Sequence, residues 1–361
     1  MQAVVLVGGE GTRLRPLTYA MPKQMLPIVG LPMIERVLRH LAAHGIDEAV
    51  LSMGYLPDAF FAAYPDGEAG GVRLSYAVEP ELLDTAGAVR FAAEAAGVDG
   101  TFVVVNGDVL SDLDLTALVA FHRAHGAEGT IHLHPVEDPS RFGVVPTDGE
   151  GRVTAFVEKP RRDEAPTNLI NAGTYVLEAS VLGRIPTGRR VSIERETFPV
   201  MAEEGRLFAM ADGSYWIDTG TPATYLQAQQ DLVDGRRGVP PHPDARLLVD
   251  EVWGVGSPRL EGRLSGACFV ADGAVVEAGA AVARSVLGRR AVVEAGAVVE
   301  DSLLLDRARV SSGAVVRRSI LGPGATAGEG CEVLELSVVG ADTVVPKGSV
   351  LEGERLPAPS V

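Results

Sequence analysis

The sequence is short of four things, and each shortage removes a class of protein. Only two of its 361 residues are cysteine, Cys268 and Cys331, too few for a disulfide framework or a cysteine-rich zinc site. No apolar run approaches the roughly 20 residues that a bilayer-spanning helix needs. The opening stretch, MQAVVLVGGEGTRLRP, lacks the basic flank and the apolar length of a secretory leader. Positive charge is scarce: 32 Lys and Arg against 48 Asp and Glu leave a net charge of −16, which argues against a nucleic acid or an anionic membrane as the general partner. Histidine is confined to positions 40, 44, 122, 125, 132, 134 and 242. With 46% hydrophobic and 22% charged residues the chain is not disordered, and a cytoplasmic enzyme fits what remains.

Lysine is rarer still. Lys23, Lys159 and Lys347 are the three lysines, and the other 29 basic residues are arginine. In such a chain a lysine marks a position that needs a compact point charge; chance is the competing reading, and it is preferred for Lys347.

The first half alternates strand-like and helix-like segments. Ala3–Val7 is a short apolar run ending at Gly8-Gly9, and Thr101–Val105 runs directly into Asn106-Gly107-Asp108. The spacing predicts strands at Glu48–Ser52 and Thr130–Val136, and helices at Ile34–Ala43, Ala86–Ala96 and Leu115–His125. This is the pattern of an α/β domain, whose ligands sit at the carboxyl ends of strands. A Pro/Gly-rich stretch, GRRGVPPHPD, follows from Gly235. Beyond it Val286, Val292, Val298, Leu304, Val310 and Val316 recur every six residues, with Val276/Val282 and Val333/Val339/Val345 in other phases. Hexapeptide periodicity predicts a parallel β-helix with these aliphatic residues pointing inward and Gly279, Gly296 and Gly313 at the corners.

The densest chemistry lies in Gly8-Gly9-Glu10-Gly11-Thr12-Arg13-Leu14-Arg15-Pro16-Leu17-Thr18. Glycines just after a strand let backbone N–H groups approach an anion, and Arg13 adds a planar cation suited to phosphate oxygens. No Gly-Lys-Ser/Thr follows, so this is not a Walker A loop, and the third glycine of a dinucleotide fingerprint is missing. Alone, the pattern is equally a tight strand–loop turn.

Gly8–Thr18 followed by Pro22-Lys23 resembles the signature of the nucleoside-diphosphate-sugar pyrophosphorylases, the sugar-1-phosphate nucleotidylyltransferases. The resemblance continues in order through Asn106-Gly107-Asp108, Phe142-Gly143-Val144-Val145, Val157-Glu158-Lys159-Pro160, Asn171-Ala172-Gly173 with Tyr175, and Trp216-Ile217-Asp218-Thr219-Gly220-Thr221-Pro222. It implies an α/β fold: a Rossmann-like nucleotidyltransferase domain with a mixed, mostly parallel sheet over 1–235, a linker over 236–246, and a left-handed parallel β-helix over 247–361. The implied reaction converts a nucleoside triphosphate and a sugar 1-phosphate into a nucleoside-diphosphate sugar and pyrophosphate. A phosphate monoester is already a nucleophile near neutral pH, so no triad or general base is needed. Positioning and charge neutralisation supply the catalysis.

By the same resemblance, Gly8, Gly9, Gly11, Thr12 and Arg13 bind the triphosphate, and Arg13 and Lys23 are catalytic. Glu79, Thr85, Ala86 and Gly87 read the nucleotide base. Gly143, Glu158, Lys159 and Asn171 bind the sugar phosphate, and Asp108 and Asp218 hold Mg²⁺. Turn, helix-cap or solvated-pair roles are the ordinary alternatives for the aspartates and for Glu158 with Lys159.

The base is read from Glu79-Pro80-Glu81-Leu82-Leu83-Asp84-Thr85-Ala86-Gly87. Thymidylyl members carry Gln where Glu79 stands, and guanine offers adjacent N–H donors that a carboxylate can accept together. Asp84 replaces the family's glycine, and Asp tolerates a positive φ better than most residues. Gln24 after Lys23 points instead to thymidylyl members. Asn171–Val176 and Ser192–Pro199 look like bacterial mannose-1-phosphate guanylyltransferases. A guanylyltransferase for a cyclitol such as valienol 1-phosphate, a thymidylyl- or uridylyltransferase for glucose 1-phosphate, and a non-catalytic regulatory subunit remain open. Acyl transfer by the repeat domain is excluded, since no histidine beyond His242 supplies its base. That domain is expected to serve oligomer assembly or an allosteric surface.

Overall fold

The structure is a computed structural model and describes residues 1–358. The chain forms two compact units, one of residues 1–10 and 34–216, the other of residues 11–33 and 217 onward.

In the first unit, near-continuous aliphatic runs make strands that are buried on both faces, as parallel sheets require. Val72–Val78, Glu48–Met53, Gln2–Leu6 and Phe102–Asn106 lie side by side in that order, all parallel. Leu169–Leu177 then runs antiparallel beside Phe102–Asn106, and Gly129–Pro135 and Leu207–Ala211 extend a branch of the same ten-stranded sheet. The mixed sheet read from the sequence is observed. Helices at Asp84–Ala95 and Leu115–Ala124 match their predicted spans to within two residues. Asp114 caps the second by accepting from the Ala117 N–H. Because Gln2–Leu6 has Glu48–Met53 on one side and Phe102–Asn106 on the other, the sheet reverses its order there, and the crevice opens at the strands' carboxyl ends. Gly8, Gly9 and Asp108 follow those ends directly, with the Gly107 N–H donating to the Leu6 carbonyl at 3.0 Å.

The second unit contains a parallel β-helix of three stacked sheets, with eight, six and six strands among the described residues, the first strand of the largest sheet, Arg246–Val249, pairing antiparallel. One expectation is corrected here. The coil is 17 residues long through most of the helix, not three times six. The inward residues are Val276, Val282, Leu287, Val293, Val299, Leu304, Val310, Val316 and Leu321. Leu304, Val310 and Val316 thus point inward as predicted, but Val286, Val292 and Val298 do not, and their neighbours Leu287, Val293 and Val299 fill the core. The cause is one five-residue side per coil, which shifts the phase by one and flips the facing of every side chain before it. Gly279, Gly296 and Gly313 do sit at corners, with φ of +84°, +75° and +69°, and their own spacing of 17 carries the true period.

The short side is also where a buried serine column runs. Ser302 Oγ accepts from the Ser319 N–H at 3.1 Å and donates to the Glu300 carbonyl at 2.6 Å. Ser285 does the same for the Ser302 N–H and the Ala283 carbonyl. Cys268 and Cys331 are buried free thiols in the same core. No helix among the described residues is long and apolar enough to cross a membrane.

Ser302→Ala would leave the buried Ser319 N–H without its acceptor. It is expected to cost about 1–3 kcal/mol of stability, read as a lower denaturation midpoint in urea.

Candidate active site

In the first unit, the crevice beyond the parallel strands holds a cleft of about 200 Å³, lined by Gly8, Gly9, Glu79, Leu82, Thr85 and Arg190 among others. Glu79 is 8% exposed. Its Oε1 accepts from the Ser52 hydroxyl at 3.1 Å and its Oε2 from the Leu83 N–H at 2.9 Å. Burial pushes its carboxyl above the ordinary value, against the pull of those two donors. A Cβ on Gly8 would lie 3.1 Å from Glu79 Oε1, so the glycine lets the strand end pass close to the carboxylate.

The helix start beside Glu79 is locked from outside. Asp84 has φ +62°, a left-handed conformation that Asp tolerates better than most residues. The Thr85 hydroxyl donates to Glu194 Oε2 at 2.7 Å and accepts from the Ile193 N–H at 2.8 Å. The N–H groups of Ala86 and Gly87 both donate to the Val191 carbonyl, at 2.9 and 3.2 Å. These three residues therefore have their donors engaged by segment 191–194. Sequence reasoning missed Arg190 and Ser52: neither belongs to a motif, and only folding brings them to Glu79.

Four other predicted residues of this unit do come together. Gly143 pairs with Glu158 across two short antiparallel strands, and Val144 pairs with Ile170 next to Asn171. Lys159 Nζ lies 3.3 Å from Glu158 Oε1, with the lysine side chain 59% exposed. Asn171 Nδ2 donates to the Tyr175 hydroxyl at 2.9 Å, and its Oδ1 accepts from the Gly173 N–H at 3.1 Å. Burial, with Glu194 and Glu158 nearby, drives the Tyr175 phenol upward and keeps it neutral. The strand register shifts between Asn171 and Tyr175, so Asn171 and Tyr175 reach one another across the irregularity. Trp216 closes this wall, donating from Nε1 to the Ala172 carbonyl at 2.9 Å and stacking on His134 at 5.3 Å.

In the second unit, residues 11–33 carry Arg13 and Lys23. Gly11 has φ +65° and no room for a side chain: a Cβ would meet Lys23 Cβ at 3.0 Å and Thr18 Cγ2 at 3.1 Å. The following turn, Thr12–Leu14, is closed by Leu14 N–H to Gly11 O at 2.9 Å, and it leaves Thr12 and Arg13 exposed over a buried Leu14. Gly220 is the second forced glycine. A Cβ there would stand 2.8 Å from both Arg13 Nη2 and Asp218 Oδ1, so guanidinium and carboxylate converge on one glycine. The Gly220 N–H donates to Asp218 Oδ1 at 2.7 Å and orients the carboxylate. Immediately after it, Thr221 and Thr224 form a capping box for the helix Pro222–Val233.

No group of three or more His, Cys, Asp or Glu among the described residues could hold a metal ion. A Mg²⁺ ion completed by substrate phosphates needs only one or two carboxylates. Asp218, oriented in the second unit, and Asp108, at a strand end of the first, each have the oxygen chemistry of a Mg²⁺ ligand.

The Nucleotidyl transferase family profile matches residues 2–235, and the GMPPB C-terminal domain profile matches residues 264–360. The chain belongs to the nucleotidyl transferase family. It is 43% identical over 303 residues, 79% of this chain and 83% of the other, to the mannose-1-phosphate guanylyltransferase of Mycobacterium tuberculosis (strain ATCC 25618 / H37Rv). It is 38% identical to mannose-1-phosphate guanylyltransferase 1 of Arabidopsis thaliana, over 80% of this chain and 81% of the other. Among solved structures, HddC from Yersinia pseudotuberculosis aligns at 28% identity with a TM-score of 0.56, over 64% of this chain and 98% of that one. A second HddC structure is complexed with GMP-PN.

Gly220→Ala would force Arg13 or Asp218 out of place. Turnover is expected to fall at least about tenfold, the scale of a misplaced phosphate-binding group, with the melting temperature nearly unchanged in a parallel thermal scan.

Proposed function

We propose that the protein is a Mg²⁺-dependent mannose-1-phosphate guanylyltransferase, working in the cytoplasm on GTP and mannose 1-phosphate. The observation that carries the base assignment is Glu79, a carboxylate facing the cleft beside Gly8 where thymidylyl enzymes have an amide. The names of the relatives at 43% and 38% identity support both base and sugar. Gln24, the residue that argued for thymidylyl transfer, is 1% exposed and does not line the cleft beside Glu79.

In this reading a phosphate oxygen of mannose 1-phosphate forms a bond to the α-phosphorus of GTP. The bond from that phosphorus to the β-bridging oxygen breaks, and its electron pair leaves with pyrophosphate. The Gly8, Gly9, Gly11 and Thr12 backbone cradles the triphosphate, Arg13 stabilises the departing pyrophosphate, and Lys23 meets charge developing at the α-phosphate. Lys159 pairs with the sugar phosphate, and Glu158, Asn171 and Gly143 face sugar hydroxyls. Glu79 accepts guanine N–H groups while Thr85, Ala86 and Gly87 shape the base slot. Mg²⁺ held by Asp108 and Asp218 would neutralise phosphate charge. The β-helix is assigned to self-association between copies of the chain.

The test is pyrophosphate release from GTP, dTTP, UTP, ATP and CTP, each with mannose, glucose and valienol 1-phosphate. Activity is expected with GTP and mannose 1-phosphate and should vanish with EDTA. Activity confined to dTTP would overturn the Glu79 reading, and a best rate with valienol 1-phosphate would replace the sugar.

Lys159→Ala is expected to raise the KM for the sugar phosphate about tenfold or more through loss of a charge-assisted contact, with kcat changed less. An unchanged KM in steady-state kinetics would remove Lys159 from the site.

A further inference from the structure

The second unit holds residues 11–33 at several places, two of which bracket the stretch. At the far end the Tyr225 hydroxyl donates to the Pro27 carbonyl at 2.6 Å. Gln229 brackets the same stretch, donating from Nε2 to Pro27 O at 2.9 Å and accepting the Val29 N–H at 2.7 Å. At the near end, two residues from Arg13, the contact comes from the last coil of the β-helix. Arg355 Nη1 donates to the Arg15 carbonyl at 3.1 Å, across 340 residues of chain. Gly340 packs on the next residue: a Cβ there would lie 3.1 and 3.2 Å from Pro16 Cβ and Cγ. The Gly340 N–H donates to the Leu356 carbonyl at 2.7 Å, which ties Gly340 to the strand that carries Arg355.

Arg355 is engaged differently from four other β-helix arginines. Arg284, Arg309, Arg317 and Arg318 each pair with a carboxylate of a neighbouring coil: Asp301, Glu294, Glu300 and Glu335. Among the described residues Arg355 has no carboxylate partner, and its hydrogen bond goes to the loop. A solvated coil-to-coil ion pair contributes little to stability, whereas a charge-assisted bond to a backbone carbonyl fixes that carbonyl in place.

We propose that Arg355 is a positioning residue: through the Arg15 carbonyl it holds the Thr12–Leu14 turn and so sets where Arg13 stands. The β-helix is then part of the template for the phosphate loop as well as a scaffold. The claim rests on the reading that this loop handles the triphosphate. Displacing a phosphate-binding cation by about 1 Å can cost up to a hundredfold in rate even when the changed residue is remote.

The test uses the full chain and three variants: Arg355→Ala, Arg355→Lys, and Arg318→Ala as a β-helix arginine that touches no loop. Amide exchange without substrate is followed at Leu14 and Arg15, whose N–H groups close the turn. Exchange is expected to speed up at least tenfold in Arg355→Ala and not in Arg318→Ala, with equal melting temperatures. In steady-state kinetics Arg355→Ala should lower kcat about tenfold while the sugar-phosphate KM holds, and Arg355→Lys should recover part of both effects. Exchange and kcat matching those of Arg318→Ala would overturn the proposal. So would a loss of melting temperature that lysine does not repair, since that is a folding role. If the wild-type chain turns over no nucleotide and sugar phosphate, the functional reading fails, and the exchange result alone still decides whether Arg355 holds the turn.

Discussion

A chain with a net charge of −16 repels a triphosphate everywhere except where donors are fixed to receive it. That constraint falls on few groups, because lysine is nearly absent and many arginines pair with carboxylates, among them Arg39, Arg184, Arg284 and Arg317. Long-range attraction is therefore of little use here, and precise short-range placement has to substitute for it. Gly11 and Gly220 are where this shows most directly. A Cβ added at Gly11 would stand 3.0 Å from Lys23 Cβ, and one at Gly220 would stand 2.8 Å from Arg13 Nη2 and Asp218 Oδ1.

Pre-organisation extends to the uncharged parts of the first unit. Glu79, Thr85 and Asn171 spend hydrogen-bonding capacity on neighbouring groups, so they hold one geometry before any ligand arrives. Buried polar groups need such partners for stability in any case. In the proposed function the same bonds would keep these groups from reorganising when substrate binds. Segment 191–194 supplies many of these partners, including Glu194, whose carboxylate accepts from both Thr85 and Ser192.

The β-helix combines an aliphatic core with a serine column that satisfies buried backbone groups from one coil to the next. Stacked repeats of this kind are rigid because every coil is held by its neighbours. A rigid stack can serve as a template for a loop, and the contacts of Arg355 and Gly340 with Arg15 and Pro16 put the final coil in that position.

Much of this was legible in the linear chain. The strand runs, the glycine loop and the ordered motifs follow from residue types and local spacing, since backbone preference and alternation act over a few residues. The six-residue repeat announced a β-helix, yet its facing was misread at Val286, Val292 and Val298. A 17-residue coil differs from 18 by one place, and only stacking against the adjacent coil decides which valine turns inward. Arg190, Ser52 and Arg355 carried no motif at all. Their relevance comes from distances across the fold, and no local signal encodes a hydrogen bond between residues 15 and 355. The sequence by itself determined the family, the kind of chemistry and the architecture. Tertiary structure alone decided which side chains are already engaged, which glycines are closely approached, and that Arg355 bonds to the Arg15 carbonyl.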